Sequence, residues 1–248
     1  MTPLRIEFLL AGHLDVPSMP IHLDSLVAYA RYQRALEEHE SGEIRDIIQD
    51  LPLGKETRDG SWVWQASALS FEGKESAGMR HWTRKTVIPD HYAMALADGS
   101  IERGRKATGN SADAQKKNRD ALLAKDGSPK LFAHKIDTVR GDMKNDLQAY
   151  AVCNASKAVA FCMGDPDALE SLLDPEMGYL THIGKRSRLG QGKIVGLSIS
   201  TSDSAVDNWK QRILPWQEDG YLGIEANVIP PYWDAAGRIS AWAHPDIF

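Results

Sequence analysis

The 248-residue chain has only two cysteines and no long apolar run. Cys153 and Cys162 are too few for a disulfide framework and show no C-x-x-C metal spacing, so we expect buried free thiols in a reducing compartment. The apolar run at residues 4–11 is too short for a secretory signal and lacks a basic region before it. No stretch approaches the roughly 20 apolar residues of a membrane span. We therefore predict a cytoplasmic protein with no membrane partner.

The chain also lacks the net positive charge that is typical of a free-standing nucleic-acid-binding protein. It carries 29 Lys and Arg against 34 Asp and Glu, a net charge of −5. Residues 74–144 nevertheless hold 15 basic and 9 acidic residues, a net charge of +6, which leaves −11 on the remainder. Such asymmetry indicates a polyanionic partner. The alternative is a solvated, lysine-rich insertion.

Apolar periodicity predicts regular elements in the first third of the chain. Residues 4–11 alternate like a strand, and apolar positions at helical spacing predict a helix over about 24–39, with Asp24 or Ser25 as its cap. Within residues 61–71, Trp and Ala at the even positions 62–68 alternate with Val63, Gln65 and Ser67. This period of two predicts a second strand with aromatic residues on one side.

After the basic segment, the sequence again shows patterns that are typical of strands and helices. Residues 147–153 and 157–163 are apolar and β-prone, and Asp165-Pro166 predicts the start of a second helix. Residues 193–200 predict a last strand. The order is strand, helix, strand, insertion, strand, helix, strand, which predicts an α+β ferredoxin-like or RRM fold. RRM sheets commonly present one face to single-stranded RNA.

We predict four regions along the chain. Residues 1–75 form the first half of the RRM-like domain, 76–144 a long basic insertion, and 145–201 the second half. Residues 202–248 form an irregular tail rich in Trp and Pro. The tail either packs on the back of the domain or forms a partner interface, where aromatic residues are enriched.

A glycine-rich basic loop precedes the last predicted strand. Its glycines let the backbone approach a phosphate, and its Lys and Arg supply charge and forked donors, so we predict an RNA-backbone cradle. The segment does not fit a Walker A loop, and it leads into a strand, unlike a dinucleotide-binding fingerprint. A tight glycine turn with solvated charges is the alternative. The candidate RNA-binding residues of this loop are Gly184, Lys185, Arg186, Ser187, Arg188, Gly190, Gln191, Gly192 and Lys193.

A loop of this kind between the second helix and fourth strand of an RRM-like fold resembles the RAMP superfamily of CRISPR RNA-binding proteins. Four segments in order resemble, more narrowly, the 5′-handle-binding subunit of type IV (type IV-A-like) CRISPR effector complexes. They read PLRIEFLLAG, PIHLDSLVAYA, KIDTVRGDMK and THIGKRSRLGQGKI. The resemblance covers roughly residues 3–40 and 130–200.

The resemblance implies a non-catalytic subunit that binds and caps the 5′ handle of the crRNA. Its protein partners would be the repeated backbone subunit and the large subunit of a ribonucleoprotein complex for RNA-guided DNA targeting, in antiviral defence and plasmid interference. Contact with PAM-proximal target DNA stays open. The sequence shows no metal-ion cluster for phosphoryl transfer, and we expect no cofactor and no metal.

The resemblance also gives the basic insertion a role, because such subunits carry a thumb hairpin between the second and third strands. We expect RNA-facing residues at its base and on its return. Trp82 either stacks on a base, which is worth about 1–3 kcal/mol in single-strand binders, or packs within the thumb. The candidates are Arg80, Trp82, Arg84, Lys85, Arg140 and Lys144.

Two alternatives remain at this point. Some RAMP proteins are metal-independent endoribonucleases that process the crRNA precursor with a histidine as general base. His22 and His182 are the candidates for that base, although each residue equally suits a capping or packing role. The second alternative is a generic RRM-like domain unrelated to CRISPR.

Overall fold

The structure is a computed structural model that describes residues 1–15, 19–84, 146–185 and 187–247. The chain divides into two compact units, one formed by Met1–Gly78 with Ala151–Phe248 and the other by Met79–Tyr150. Within the described ranges the strands are β1 Thr2–Ala11, β2 His13–Leu14, β3 Lys55–Arg58, β4 Ser61–Trp64, β5 Ser70–Glu72, β6 Glu75–Arg84, β7 Asp146–Asn154, β8 Lys157–Gly164, β9 Lys193–Thr201, β10 Ile213–Leu214, β11 Leu222–Ala226 and β12 Ile239–Ala243. The α-helices are α1 Leu23–Glu37, α2 Ile44–Ile47, α3 Pro166–Leu173 and α4 Ala205–Asn208. Short 3₁₀ turns cover Pro175–Met177, Ser187–Leu189, Ala235–Gly237 and Pro245–Ile247.

The first unit is built on a four-stranded antiparallel sheet with the order β5-β8-β1-β9. Helix α1 follows the first of these strands along the chain, and helix α3 follows the third. This strand order and helix placement is the ferredoxin-like arrangement. The predicted α+β class and RRM-like fold are therefore confirmed.

Strand β1 is the centre of the core because its side chains alternate between the two faces of the sheet. Leu4, Ile6 and Phe8 are at most 1% exposed. They pair across the ladder with Cys162, Ala160 and Ala158 of β8. These small partners leave room for the leucines of α1 and α3, which belong to the same apolar cluster. A register slip of one residue would expose the whole apolar face, so the pairing is strongly specified.

Both cysteines are buried free thiols, as predicted. Burial raises the pKa of Cys162 to about 12, so this thiol stays protonated. Among the helices in the described ranges, none has the length and apolar character needed to cross a membrane.

The second helix begins as its sequence predicts. Asp165 adopts an extended conformation, and its carboxylate accepts the Asp167 and Ala168 N–H groups, each at 3.1 Å. Pro166 occupies the first helical position, where its missing N–H costs nothing. The helix then buries Leu169, Leu172 and Leu173 and ends at Leu173.

The predicted cap of α1 is wrong. His22 occupies the N-cap position and makes no side-chain cap. The Ser25 hydroxyl donates to the His22 carbonyl oxygen at 2.6 Å. The Asp24 carboxylate instead forms a buried ion pair with Arg212 at 3.1 Å. A long-range charge pair has replaced the local cap.

The strand predicted over residues 61–71 is interrupted. Strand β4 ends at Trp64 and pairs with β3 in a hairpin, whereas β5 joins the main sheet, and Ala66 between them forms a single bridge to Cys162 of β8. The Ala66 N–H donates to the Trp64 carbonyl oxygen at 2.8 Å, a tight turn that bends the chain between them. The Ser67 hydroxyl oxygen then accepts a hydrogen bond from the Phe161 N–H, in place of a backbone carbonyl oxygen.

The C-terminal tail is more regular than predicted. It contains a three-stranded antiparallel sheet with the order β10-β12-β11. Trp209 and Trp216 are buried in a second apolar cluster that also includes Val63. Much of the tail therefore packs onto the domain, whereas Trp233 is 77% exposed.

Candidate nucleic-acid interface

The glycine loop, defined here as residues 184–193, leads from the α3 region into β9 and lies against β2. The two ends of the loop meet at its neck, defined here as Ile183 and Gly192, where the Ile183 N–H donates to the Gly192 carbonyl oxygen at 2.8 Å. The Gly192 N–H donates to the His13 carbonyl oxygen at 2.8 Å, and the Lys185 N–H reaches the Asp15 carbonyl oxygen at 3.4 Å. Backbone bonds therefore fix both ends of the loop.

Two of its glycines are required by close backbone approach. Gly192 has φ +65°, and a Cβ there would lie 1.9 Å from the Ile183 carbonyl oxygen. Gly184 has φ +88°, and a Cβ there would lie 2.9 Å from the Asp15 carbonyl oxygen. Gly190 also has a positive φ, but nothing lies within 4 Å of its added Cβ. The loop backbone is thus closely packed at Gly184 and Gly192 and has free space around Gly190.

The described cations of the loop face solvent. Lys185 and Lys193 are both exposed, and within the described ranges neither forms an ion pair. Ser187 is exposed at the start of the short 3₁₀ turn and accepts the Gly190 N–H through its carbonyl oxygen at 2.8 Å. Unpaired ammonium groups at both ends of a fixed loop are available to an anionic backbone.

Gln191 differs from the other predicted loop residues because it is buried, at 3% exposure. Both atoms of its side-chain amide lack a hydrogen-bond partner among the residues that the structure describes. Leaving a buried amide unpaired costs about 1–3 kcal/mol. Such a group is one that a bound ligand can satisfy.

The structure describes no side chain of the remaining predicted Lys, Arg and Trp residues. The backbones of Arg80, Trp82 and Arg84 lie in β6, within the second unit, and their side chains lie outside what the structure describes, as does the side chain of Arg188. Four predicted residues and most of the predicted insertion at 76–144 fall outside the described residues altogether. These four are Lys85, Arg140, Lys144 and Arg186.

The face of the main sheet that points away from the core carries an ion-pair network. Arg5 contacts Glu7 at 2.8 Å and Glu72 at 3.4 Å, and Lys157 contacts Glu7 at 3.1 Å. Arg5 and Lys157 on this face are therefore paired with neighbouring carboxylates. The glycine loop, where Lys185 forms no ion pair with any described residue, is the better place for phosphates.

His22, one of the two histidines considered as a general base, lies in the interior. It is 2% exposed, its Nε2 accepts the Ile213 N–H at 3.2 Å, and its ring stacks on Tyr232 with centroids 4.8 Å apart. Burial, reinforced by the Arg212 charge, holds the pKa of His22 well below its usual value. A neutral imidazole shielded in this way cannot reach an RNA hydroxyl. His182 lies beside the loop, with its Nδ1 2.9 Å from the Thr181 hydroxyl oxygen.

Sequence reasoning missed the charge network around Arg212. This residue is fully buried and donates to Asp24 at 3.1 Å, to the Tyr232 hydroxyl at 2.9 Å and to backbone carbonyl oxygens. Burial by itself lowers the pKa of Arg212, but the Asp24 charge and the Tyr232 contact outweigh it and raise that pKa. The guanidinium therefore stays charged. No local pattern around Arg212 marks it as buried, because its partners are distant in sequence.

The described residues contain no group of three or more His, Cys, Asp and Glu side chains arranged to hold a metal ion.

Comparison with known proteins identifies a family. The model of the family described as CRISPR type IV associated protein Csf3 matches residues 2–244. No curated protein matches the chain. Among solved structures, the chain is similar to a chain in the crystal structure of the Csm3-Csm4 subcomplex of the type III-A CRISPR-Cas interference complex. That match has 10% identity and a TM-score of 0.37, and it covers 97% of this chain and 91% of the other. Because the family model spans nearly the whole chain, this protein belongs to the family of CRISPR type IV associated protein Csf3.

Proposed function

We propose that the chain is a non-catalytic subunit of a type IV CRISPR surveillance complex and that it binds and caps the 5′ handle of the crRNA through its glycine loop. The observation that carries this proposal is the fixed loop with Lys185 and Lys193 exposed at its two ends, neither of them in an ion pair with a residue that the structure describes. Family membership supports the type IV context.

The geometry favours a nucleic-acid backbone as the ligand of this loop. Tight turns at Gly184 and Gly192 hold the backbone in place, while the open surroundings of Gly190 leave the tip accessible. The buried amide of Gln191, which has no hydrogen-bond partner among the described residues, offers both a donor and an acceptor. An RNA strand presents phosphates for the lysines and polar edges for an amide.

The proposed protein partners are the backbone subunit and the large subunit of the complex, with PAM-proximal target DNA as a possible further contact. The acidic remainder of the chain fits this role, because a subunit of an assembly needs positive charge only along its RNA track. Processing of the crRNA precursor by this chain is the less favoured function, because His22 is buried and held neutral.

Salt dependence of RNA binding tests the loop assignment. Binding of the labelled 5′ handle of the operon's own repeat is measured for the full chain from low to moderate salt. Lys185→Ala and Lys193→Ala should each weaken binding and lower the magnitude of the log–log salt slope by about 0.7, the value for one phosphate contact on a single strand. Lys210→Ala, an exposed lysine outside the loop, is the matched control and should leave the slope unchanged. Equal slopes for all variants would overturn the assignment.

A further inference from the structure

A second candidate site lies away from the glycine loop. A cleft of about 780 Å³ is lined by the β3–β4 hairpin, by α2 and by the segment that joins β11 to β12. Its volume falls within the range of about 300–1,000 Å³ that small-ligand sites occupy. The hairpin meets β8 at Met163, opposite Pro3, whereas the glycine loop joins the sheet opposite Ala11. The two sites are thus separated by roughly 25 Å along β1.

One wall of the cleft is aromatic and cationic. Trp62 and Trp64 meet edge to face with centroids 5.4 Å apart. Trp64 is only 2% exposed, so Trp62 supplies the aromatic surface that a ligand can reach. Lys55 Nζ lies 5.0 Å from the Trp62 ring centroid and donates to the Gln49 carbonyl oxygen at 3.0 Å. It has two further N–H donors and a positive charge.

The opposite wall holds a fixed acceptor. The Asn227 Nδ2 donates to the carbonyl oxygens of Asp234 at 2.8 Å and Pro231 at 3.3 Å, which determines the orientation of the amide. Its Oδ1 is then buried without a donor among the described residues. Gly237, which also lines the cleft, lies beside it, because a Cβ built there would be 3.3 Å from that oxygen. Asn227 therefore presents an acceptor that needs an N–H from outside.

The rim of the cleft carries one more cation. Arg45 forms an ion pair with Asp234 across the opening, so that carboxylate is neutralised. The Arg45 side chain stays 62% exposed. Because Arg45 and Asp234 offset each other, Lys55 leaves the described lining with one net positive charge, which favours an anionic ligand.

We propose that this cleft binds a nucleobase of a nucleotide or of a single-stranded nucleic acid. The base stacks against Trp62, its N–H edge donates to Asn227 Oδ1, and its phosphate lies toward Lys55. A proline-rich peptide also suits aromatic walls, but proline has no N–H for the Asn227 acceptor and no charge for Lys55. The inference goes beyond the proposed capping function, because it assigns a second site with its own ligand class.

Titration of the full chain with nucleoside monophosphates and with homo-tetranucleotides tests the proposal. Tryptophan fluorescence and calorimetry should both show saturable binding, and ribose 5-phosphate should not bind. Trp62→Ala should weaken binding about 10-fold or more, in line with base–aromatic stacking, whereas Trp62→Phe, which keeps a ring and guards against misfolding, should retain most of it. Gly237→Ala should also weaken binding, because its methyl group would crowd the acceptor.

The two ligand sources are separated by the same titrations. If mononucleotides bind as tightly as tetranucleotides, the ligand is a free nucleotide. If tetranucleotides bind more tightly than mononucleotides, the ligand is a single strand. Lys185→Ala/Lys193→Ala should leave mononucleotide binding unchanged, which separates this site from the glycine loop. Absence of binding, binding that is insensitive to both Trp62→Ala and Gly237→Ala, or binding of a proline-rich peptide with no nucleotide binding would overturn the proposal.

Discussion

Arg212 joins three parts of the first unit at one buried point. Its guanidinium donates to Asp24 at the start of α1, to the carbonyl oxygens of Trp64 at the end of β4 and of Ala66 just after it, and to the Val228 carbonyl oxygen in the C-terminal region. A buried ion pair of this kind is weak evidence of net stabilisation, but breaking it is costly because the remaining charge is left unpaired. The tail is therefore fixed to the domain by charge as well as by apolar packing.

Removal of the guanidinium should reveal the unpaired charge of Asp24. Arg212→Met should lower the free energy of unfolding by about 3–5 kcal/mol in urea denaturation. Asp24→Asn should destabilise the wild-type protein, but it should stabilise the Arg212→Met variant, because it removes the stranded carboxylate. If Asp24→Asn lowers stability equally in both backgrounds, the two residues are not coupled in this way.

His22 should make the protein sensitive to mild acid. Burial and the Arg212 charge lower its pKa in the folded state, so between that value and about 6.5 the unfolded chain binds the extra proton. Stability is then fully present above about pH 6.5 and is lost as the pH falls below it, by at most about 1.4 kcal/mol per pH unit.

The variant His22→Gln tests this contribution, since an amide keeps an acceptor for the Ile213 N–H but does not titrate. Its unfolding free energy, measured by denaturant titration from pH 7 to pH 5, should fall less steeply than that of the wild-type protein. Parallel curves would show that His22 does not cause the loss.

The neck of the glycine loop depends on the absence of a side chain at Gly192. Gly192→Ala forces a methyl group against the Ile183 carbonyl oxygen, at 1.9 Å before relaxation, so the neck must open. Gly190→Ala is the matched control, because it has the same left-handed conformation with nothing within 4 Å. We expect Gly190→Ala to cost only about 1 kcal/mol of conformational energy.

Gly192→Ala should cost clearly more than Gly190→Ala in urea denaturation and should also weaken RNA binding. Equal losses for the two variants would mean that left-handed conformation alone, and not close backbone approach, explains the need for glycine.

Long elements with a clear period were predictable from the sequence, and short ones were not. Strand β1 and helix α3 followed from alternation and from the Asp165-Pro166 start. Strand β2 has two residues, and the tail strands β10, β11 and β12 have two to five, too few for a period to show. Their partners are long-range, so no local pattern indicates them.

The candidate site was predictable only in its local part. The glycines and lysines of the loop follow one another in the sequence, and the structure places Lys185 and Lys193 on the surface as expected. The carbonyl oxygens of His13 and Asp15, which hold the loop backbone, belong to a segment about 170 residues earlier in the chain. Burial of Gln191 was also unexpected, because glutamine in a polar loop usually faces water.

The distribution of charge over the whole chain agrees with a subunit that meets RNA along one track. The net charge is −5, yet residues 74–144 carry an excess of basic residues, and the loop at 184–193 adds further lysines and arginines. On the outward face of the main sheet, Arg5 and Lys157 are already paired with carboxylates. An isolated chain of this charge has little reason to bind RNA broadly, which favours recognition within an assembly.

The most direct test of the central claim is to co-express the tagged chain with a type IV operon and to sequence the RNA that co-purifies. We expect discrete guides with a uniform 5′ handle, together with the backbone and large subunits. Lys185→Ala/Lys193→Ala should reduce the recovered guides, and Lys210→Ala should not. Heterogeneous RNA or no RNA, with no partner subunits, would show that the chain does not cap a crRNA handle.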